Sequence, residues 1–313
     1  AIIRSHGSSD ISRALNCIPG VKMDTRGEGG SRRIQIRGSS LRSPYSVRNS
    51  MMLIDGFVFT EADGNSPIEW LDPEVVSQIS VVTGPAAASY GGAYGGAIIA
   101  ESSNNPSFVG NYATYQARIA STGRIDPYSS YNPSLRIFNP LKLQYRIAYT
   151  TQYNSDDFSY TLSIISAENP GYRDWEWNLK DQLYFNAKSV DEKGGEHNLI
   201  AGLYMGAWAL PGALNDSIST VSPLTSPGLN YNAHVNRDRF IGGYGYEKTT
   251  SSNIELKASV LGRYTTKVNP YGTSNNYKGY KEENGMGVSL LASALKTKNL
   301  NDSWDLQVEL SLM

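Results

Sequence analysis

Two short segments of the chain combine arginine with aromatic side chains, which are residue types that recognise oxygen-rich ligands. Arginine offers paired N–H donors for carboxylate or hydroxamate oxygens, and aromatic rings provide rigid contact area. Both segments follow predicted strands, so we expect them to lie in loops. The candidate ligand contacts are Arg42, Tyr45 and Arg48 in the first segment, and Tyr172, Arg173, Trp175 and Trp177 in the second.

Other reactive residue types are scattered along the sequence. His6, His197 and His234 lack the spacing of metal ligands, and the single cysteine, Cys17, excludes an intramolecular disulfide framework. No grouping of carboxylates and no Ser-His pair suggests an active site. We therefore expect no resident metal, no cofactor and no enzymatic activity.

The composition indicates a folded protein that has surfaces at the boundary between water and an apolar environment. Hydrophobic residues make up 40% and charged residues 18%, and the net charge of −1 argues against nucleic acid as a partner. The 21 tyrosines far outnumber the 7 phenylalanines and 5 tryptophans. Tyrosine suits membrane–water boundaries and ligand-binding surfaces, because one end of its side chain is apolar and the other polar.

From about residue 110 onwards, apolar and polar residues alternate with a period of two. Leu143, Tyr145, Ile147 and Tyr149, for example, alternate with polar neighbours such as Arg146. This pattern predicts half-buried strands, and their lengths of about 10 to 14 residues match strands that cross a bilayer. The nine predicted strands lie near 111–122, 141–152, 158–167, 177–188, 197–208, 237–248, 253–266, 285–296 and 304–313.

The connections between these strands also alternate in length. Short polar turns alternate with long segments near 123–140, 168–176, 209–236 and 267–284. Short periplasmic turns and long extracellular loops are typical of an outer-membrane β-barrel, whereas a soluble sandwich has no reason to sort its loops this way. We expect Ile147→Arg, on the lipid face, to impair assembly and Arg146→Gln to be tolerated.

Residues 1 to about 105 predict a small, glycine-rich α+β domain. DISRALNCIPGV predicts a helix capped by Asp10, RRIQIRG and MMLIDGFVF predict short strands, and LDPEVVSQISVVTGP predicts a helical turn that leads into a strand. Residues 1–50 carry nine basic and three acidic residues, and residues 51–105 carry seven acidic residues and no Lys or Arg. The favoured interpretation is attraction between the two halves, and the alternative is a basic surface for an anionic ligand.

These four pieces, in this order, resemble the plug domain of TonB-dependent outer-membrane receptors. The most specific match is VVTGPAAASYGGAYGGAII at residues 81–99, and NPGYRDWEW and LPGALN resemble the siderophore-receptor branch. The resemblance implies a mainly β protein, with an α+β plug domain at 1–106 and the N-terminal part of a transmembrane β-barrel of about nine strands at 107–313. Ser77, Ser80 and Thr83 stand where the family has charged residues that lock plug to barrel, so the resemblance leaves this lock in doubt.

The resemblance also implies a function. We expect an outer-membrane transporter of a Gram-negative bacterium that imports a scarce, bulky solute. The favoured solute is a ferric siderophore, and the energy comes from the TonB–ExbB–ExbD complex. We expect further barrel strands after residue 313, and an export signal and a TonB box before residue 1. Import of cobalamin or an oligosaccharide, and a non-transporting adhesin or binding protein, remain alternatives. For Trp177 the interfacial aromatic girdle, in contact with outer-membrane lipid, is as good an interpretation as ligand contact.

Overall fold

The structure, a computed structural model, describes residues 11–25, 32–38, 47–48, 50–84, 90, 95–102, 110–121, 143–274, 277–301 and 304–312. The predicted cap Asp10 and the boundary between the two expected domains, near residue 106, lie outside these residues. Within the described ranges, no helix is both long enough and apolar enough to cross a membrane.

The N-terminal domain mixes short helices and strands, as its sequence predicts. In chain order these are α1 (Ser12–Asn16), β1 (Val21–Thr25), β2 (Arg32–Ile36), β3 (Met51–Ile54), β4 (Phe57–Val58), a 3-10 helix (Ile68–Trp70), β5 (Val76–Val82) and β6 (Ala97–Ser102). Strands β1 and β2 form an antiparallel pair, and the other four form a sheet in the order β4-β3-β6-β5. In that sheet β3 and β6 are parallel, and the remaining pairs are antiparallel.

A compact apolar core holds this domain together. Leu15, Ile34, Met52, Ile54 and Ile98 are essentially inaccessible to solvent. Burying each side chain of this size stabilises the fold by about 1.5–3 kcal/mol. The core draws on α1 and on both sheets, and it therefore fixes their relative positions.

The second region forms one antiparallel sheet of nine strands, each paired with its neighbours in sequence. All nine predicted strands are confirmed. They are β7 (Gly110–Ser121), β8 (Leu143–Asn154), β9 (Phe158–Asn169), β10 (Asn178–Val190), β11 (Gly195–Ala209), β12 (His234–Thr249), β13 (Ile254–Ser274), β14 (Tyr277–Asn301) and β15 (Trp304–Leu312).

One face of the nine-stranded sheet, here called the inner face, packs against the N-terminal domain. On β8 the inner residues Arg146, Ala148 and Thr150 are buried, whereas Ile147 and Tyr149 on the outer face are about 40% exposed. Successive side chains of a strand point to opposite faces, so the period of two in the sequence separates the two environments. The apolar set is the uncovered one, as a lipid-facing surface requires.

The outer apolar surface forms a band across neighbouring strands. On β14 it extends from Met286 to Ala294, with Asn284 and Lys296 beyond its two ends. Eight residue steps span about 27 Å along a strand, which becomes roughly 20 Å after a tilt of about 40°. One register row of the band contains Tyr149, Ile164, Leu183, Leu203, Phe240, Tyr264 and Met286.

The two ends of the sheet differ in their connections. At the short-turn end, β8 to β9, β10 to β11 and β12 to β13 are joined by three to four residues. At the long-loop end, residues 210–233 connect β11 to β12 and contain the short helices α2 (Asp216–Val221) and α3 (Pro227–Asn230). The predicted loop 123–140 lies outside the described residues.

The prediction of a long loop at 267–284 is wrong. Strands β13 and β14 continue through it, with Asn269 opposite Lys281 and Tyr271 opposite Gly279. This extension is polar on both faces, so apolar alternation, which reports burial of one face, could not reveal it. The hairpin satisfies its own backbone hydrogen bonds in solvent and needs no apolar face.

We predict that a charge on the outer face impairs assembly according to its depth. Phe185 lies in the centre of the band, so Phe185→Arg should lower the stability of the barrel by about 2–4 kcal/mol. Ile147 pairs with Ser166 nearer the long-loop end, so Ile147→Arg should lower it by less. The measurement is the fraction of full-length receptor that resists unfolding in unheated detergent. Gln144→Arg on the inner face is the control, and equal loss for all three variants would contradict the assignment of the faces.

Candidate functional site

The acidic half of the N-terminal domain lies against the inner face of the nine-stranded sheet. The sequence favours attraction between this acidic half and the basic half of the same domain, and this prediction is wrong for three of the carboxylates. Glu61, Glu69 and Asp72 form ion pairs with the nine-stranded sheet. One exposed pair, Arg48 with Asp63 at 3.2 Å, does join the two halves.

Three of the four basic partners lie along one register row of the inner face, here called the cation row. Its members are Arg146, Lys180, Arg237 and Lys267. The fourth partner, Arg239, lies two residues further along β12, and Lys267, which is also in the row, pairs with Glu283 of the sheet. Ala167 occupies the row between Arg146 and Lys180, and Gly206 occupies it between Lys180 and Arg237. Because neighbouring strands lie about 4.8 Å apart, the row presents a line of positive charge to the carboxylates of the N-terminal domain.

Asp72 is the most completely buried of these carboxylates. Its two oxygens meet Arg146 Nη2 at 2.6 Å and Lys180 Nζ at 2.7 Å, and its side chain is 1% exposed. Burial alone would raise the pKa of Asp72, but the charges of Lys180 and Arg146 outweigh it and hold the pKa well below its usual range. Arg146→Gln would therefore remove one of two partners from a buried carboxylate, and the expectation that this change is tolerated no longer holds.

The local sequence explains why Asp72 points at the sheet. Asp72-Pro73 opens a turn in which the backbone N–H groups of Val75 and Val76 both donate to the Asp72 carbonyl. The carboxylate itself accepts from the Glu74 N–H at 3.0 Å. This is the helical turn that the sequence predicts, and it holds the side chain in place before β5 begins.

Glu69 is held by two arginines of β12. Its Oε1 lies 3.2 Å from Arg237 Nη1 and 2.9 Å from Arg239 Nε, and Arg239 also pairs with Glu61. Burial opposes ionisation of Glu69, but the charges of Arg239 and Arg237 outweigh this and lower its pKa to about 2. The 3-10 helix thus places an ionised carboxylate next to the cation row.

Trp70, next to Glu69, fills the apolar part of the same contact. Its ring packs edge-on against Phe59 at 6.0 Å and tilts against Tyr204 at 6.2 Å. A Cβ on Gly202 would lie 2.8 Å from the Trp70 ring. Gly202 is therefore needed at this position, because only glycine lets the strand backbone approach an indole so closely.

Carbonyl groups of the N-terminal domain accept further hydrogen bonds from the sheet. Gln182 donates to Trp70 O at 3.2 Å, Ser163 to Glu74 O at 3.0 Å, and Arg263 to Phe59 O at 2.9 Å. Buried carbonyls outside regular secondary structure need such partners. The N-terminal domain is therefore held against the sheet by the charges at Glu61, Glu69 and Asp72 and by these hydrogen bonds, whereas Ser77, Ser80 and Thr83 carry no charge.

The inner face at the long-loop end combines aromatic and cationic groups. Arg237 lies 5.3 Å from the centre of the Trp208 ring. Lys267 pairs with Glu283 at 3.1 Å, and Lys281 pairs with the same carboxylate. Two lysines sharing one carboxylate leave a local surplus of positive charge, which favours an anionic ligand.

The structure does not bring all the predicted ligand contacts together. Arg42 and Tyr45 lie outside the described residues. Arg48 is exposed and pairs with Asp63. Their contact with a ligand stays a prediction.

The second predicted segment organises the long loops. Arg173 donates to Gly212 O and to Thr225 O, both at 2.8 Å, so its guanidinium joins loop 170–177 to loop 210–233. Tyr172 is 65% exposed on the same loop. Tyr172 therefore offers a ring to solvent, whereas most of the Arg173 donors are used within the protein.

Trp175 and Trp177 pack against each other at 5.7 Å, close to His234. Trp175 Nε1 donates to Ala233 O at 2.6 Å. Trp177 is 8% exposed, and its position one residue before β10, three before the inner-facing Lys180, places it on the outer face by alternation. The outer face agrees with the girdle interpretation, but the ring is covered by its protein neighbours, so both interpretations of Trp177 stay predictions.

The residues that sequence reasoning missed are those of the domain contact. The alternation predicts that Arg146 faces inward, but its pairing with Asp72, 74 positions earlier in the chain, depends on the register of several strands. The available signal was the absence of Lys and Arg from residues 51–105, which left their carboxylates without local partners. Among the described residues, no group of three or more His, Cys, Asp or Glu could hold a metal ion.

We predict that Asp72→Asn strongly weakens the contact between the N-terminal domain and the sheet. It leaves Arg146 and Lys180 buried beside an uncharged amide, and breaking a buried ion pair costs about 3–5 kcal/mol. The free energy of unfolding of the full-length receptor measures this. Asp63→Asn, which breaks an exposed pair worth about 0–1 kcal/mol, is the matched control; equal losses would contradict the proposed role of burial.

We also predict acid sensitivity of the same contact. The pKa of Glu69 falls from its ordinary 4.5 to about 2, and the pKa of Asp72 is likewise lowered, so their stabilising contribution is complete above about pH 4.5 and is lost as the pH falls towards 2. Unfolding measured from pH 7 to 2 should show this decline. Glu69→Gln should be less stable at pH 7 and show a shallower decline; an unchanged slope would argue against the assignment.

Comparison with known protein families agrees with this architecture. Residues 1–97 match the family model described as TonB-dependent Receptor Plug Domain. The chain is 34% identical over 105 residues to the ferrienterobactin receptor of Escherichia coli K12, an alignment that covers 28% of this chain and 13% of that protein. It is 28% identical over 139 residues to the ferric enterobactin receptor of Pseudomonas aeruginosa, covering 40% of this chain and 16% of that protein.

Solved structures share the fold over almost the whole chain. The unliganded ferric citrate transporter FecA aligns with a TM-score of 0.74 at 18% identity, covering 94% of this chain and 43% of that one. The siderophore receptor PirA of Acinetobacter baumannii aligns with a TM-score of 0.62 at 16% identity, covering 97% and 45%. The chain thus spans less than half the length of these proteins. Residues 1–97 thus belong to the plug domains of TonB-dependent receptors, and the nine-stranded sheet has the fold of the barrel walls of the solved structures.

Proposed function

We propose that this protein imports a ferric siderophore across the outer membrane of a Gram-negative bacterium, with energy supplied through TonB, ExbB and ExbD. The curated relatives are named as receptors for ferric enterobactin, which is an anionic iron chelate. The solute crosses unchanged, so the protein needs no catalytic group.

The observation that carries this proposal is the surplus of cations on the inner face at the long-loop end. Lys267 and Lys281 share Glu283. Arg237 lies one strand away from Lys267 in the sheet, and Trp208 lies two strands away. Anionic catecholate oxygens accept hydrogen bonds from ammonium groups such as those of Lys267 and Lys281. The long-loop end would face the exterior, where the solute is captured.

This arrangement favours an anionic chelate over the alternative solutes. Oligosaccharides are mostly neutral, and their recognition relies on neutral hydrogen bonds and aromatic platforms rather than on surplus lysine charge. An adhesin would have no use for a buried plug held by ion pairs inside the wall. Deletion of the gene should therefore impair growth on ferric siderophores, whereas a non-transporting adhesin would leave such growth unchanged.

We predict that Lys267→Gln combined with Lys281→Gln weakens binding of ferric enterobactin by the full-length receptor about tenfold. Loss of two cations should cost on the order of 1.4 kcal/mol, which is a factor of ten in Kd. Equilibrium titration of the purified receptor measures the change. Lys278→Gln, on the same hairpin and the opposite face, should leave Kd unchanged.

Competition against cobalamin and oligosaccharides completes this experiment. The unmodified receptor should bind ferric enterobactin in preference to both. Failure of ferric enterobactin and other iron chelates to bind would exclude the proposed function. Equal affinity of the double variant and the unmodified receptor would place the anion site elsewhere on the protein.

A further inference from the structure

The β13–β14 hairpin extends beyond its neighbour in the sheet. Strand β12 pairs with β13 as far as Asn236 opposite Val268, and no described residue of β12 pairs with the hairpin beyond this point. Lys281 lies in this extension, opposite Asn269, and its side chain is exposed. Lys267, by contrast, lies where β13 still pairs with β12. The direction in which Lys281 is presented to a ligand therefore depends on what supports the extension.

Loop 210–233 supplies a support on the outer face of this extension. Gly272 of β13 lies on that face by alternation, in line with Tyr264, and Tyr231 packs directly on its backbone. A Cβ on Gly272 would lie 2.9 Å from both Cβ and Cγ of Tyr231, closer than side chains approach each other. Gly272 thus forms a notch for Tyr231, here called the Gly272 notch, because only glycine lets the strand come so near.

A second tyrosine stiffens the hairpin from its inner face. Tyr271 lies directly opposite Gly279, and a Cβ on Gly279 would collide with the Tyr271 ring. An aromatic ring that covers a glycine on the neighbouring strand stabilises the pairing of the two strands. Lys281 lies two residues from Gly279 on the same face. The backbone that carries Lys281 is therefore held between Tyr271 on one face and Tyr231 on the other.

Tyr231 itself belongs to a loop with a fixed conformation. Its N–H donates to Gly228 O at 3.2 Å, and the Ala233 N–H donates to the same carbonyl at 3.0 Å. Trp175 Nε1 donates to Ala233 O at 2.6 Å, and the Arg173 guanidinium donates to two further carbonyl groups of the loop. A continuous set of contacts therefore runs from the loop before β10, through Tyr231, to the hairpin.

We propose that Tyr231 is a positioning residue for ligand binding: seated in the Gly272 notch, it holds the hairpin so that Lys281 faces the same ligand as Lys267. This inference rests on the proposed siderophore function. Tyr231 lies on the outer side of the hairpin and both lysines lie on the inner side, so Tyr231 acts through Lys281 without touching the ligand. Hydrogen bonds weaken steeply with misalignment, and ordering the hairpin before binding lowers the entropic cost of binding.

A double-mutant cycle in the full-length receptor tests whether Tyr231 acts through Lys281. Tyr231→Ala should raise the Kd for ferric enterobactin about threefold, which is half, on a logarithmic scale, of the tenfold loss expected for both lysines. In a receptor that already carries Lys281→Gln, Tyr231→Ala should cause no further change, because the charge that it positions is absent. Val221→Ala, at a side chain of the same loop that is 86% exposed, is the control and should leave Kd unchanged. Additive losses would overturn the positioning role.

A reversible crosslink separates positioning from misfolding. Tyr231→Cys and Gly272→Cys are combined in a Cys17→Ser background, because Cys17 is an exposed free thiol. The two new Cβ atoms need to separate by less than about 1 Å to reach the spacing of a disulfide. The reduced protein should bind ferric enterobactin about threefold more weakly than the unmodified receptor, and oxidation to the disulfide should restore the unmodified Kd. Tyr231→Cys alone should bind weakly in both states.

The outcomes of the crosslink distinguish the positioning role from the proposed function. Equal Kd in the oxidised and reduced states would overturn the positioning role. Loss of binding on oxidation would do the same, since the contact would then have to open for the ligand. Failure of the disulfide to form would contradict the packing of Tyr231 in the Gly272 notch. An unmodified receptor that binds no iron chelate would instead overturn the proposed function, and this result appears before any variant is made.

Discussion

The pairing of buried carboxylates with the cation row is the interaction on which the rest of the structure depends. Asp72 is fully buried and Glu69 is 17% exposed, and an isolated ionised carboxylate at the position of Asp72 would be strongly unfavourable. Arg146, Lys180, Arg237 and the neighbouring Arg239 must therefore stand opposite them. This requirement constrains the register of β8, β10 and β12 as well as the turn that carries Asp72.

The polar character of this contact also determines how easily it can be broken. Apolar packing alone would make the N-terminal domain a permanent part of the wall, whereas ion pairs and hydrogen bonds to carbonyl groups are directional and are lost over short displacements. The contact is dense near the long-loop end and sparse near the short-turn end. The N-terminal domain is therefore held mainly at the long-loop end.

The long loops show how one residue type serves either binding or architecture. Arg173 has the chemistry to bind an anionic ligand, yet its guanidinium donates to the carbonyl groups of Gly212 and Thr225. Trp175 similarly donates to Ala233 O. These bonds give the loop 210–233 a defined position against loop 170–177. Loop composition alone does not distinguish such scaffolding from ligand contact, because the same donors serve both.

The amino-acid sequence by itself determined the nine strands, their two faces and the α+β character of the first hundred residues. Period-two alternation and turn residues are local signals, so they can be recognised in the sequence without knowledge of the fold. Tertiary structure alone decided that Asp72 meets Arg146 and Lys180, that Asp55 meets Tyr184, and that β13 and β14 extend as a polar hairpin. These features depend on register between distant segments, or on strands without a buried face, and neither leaves a periodic trace in the chain.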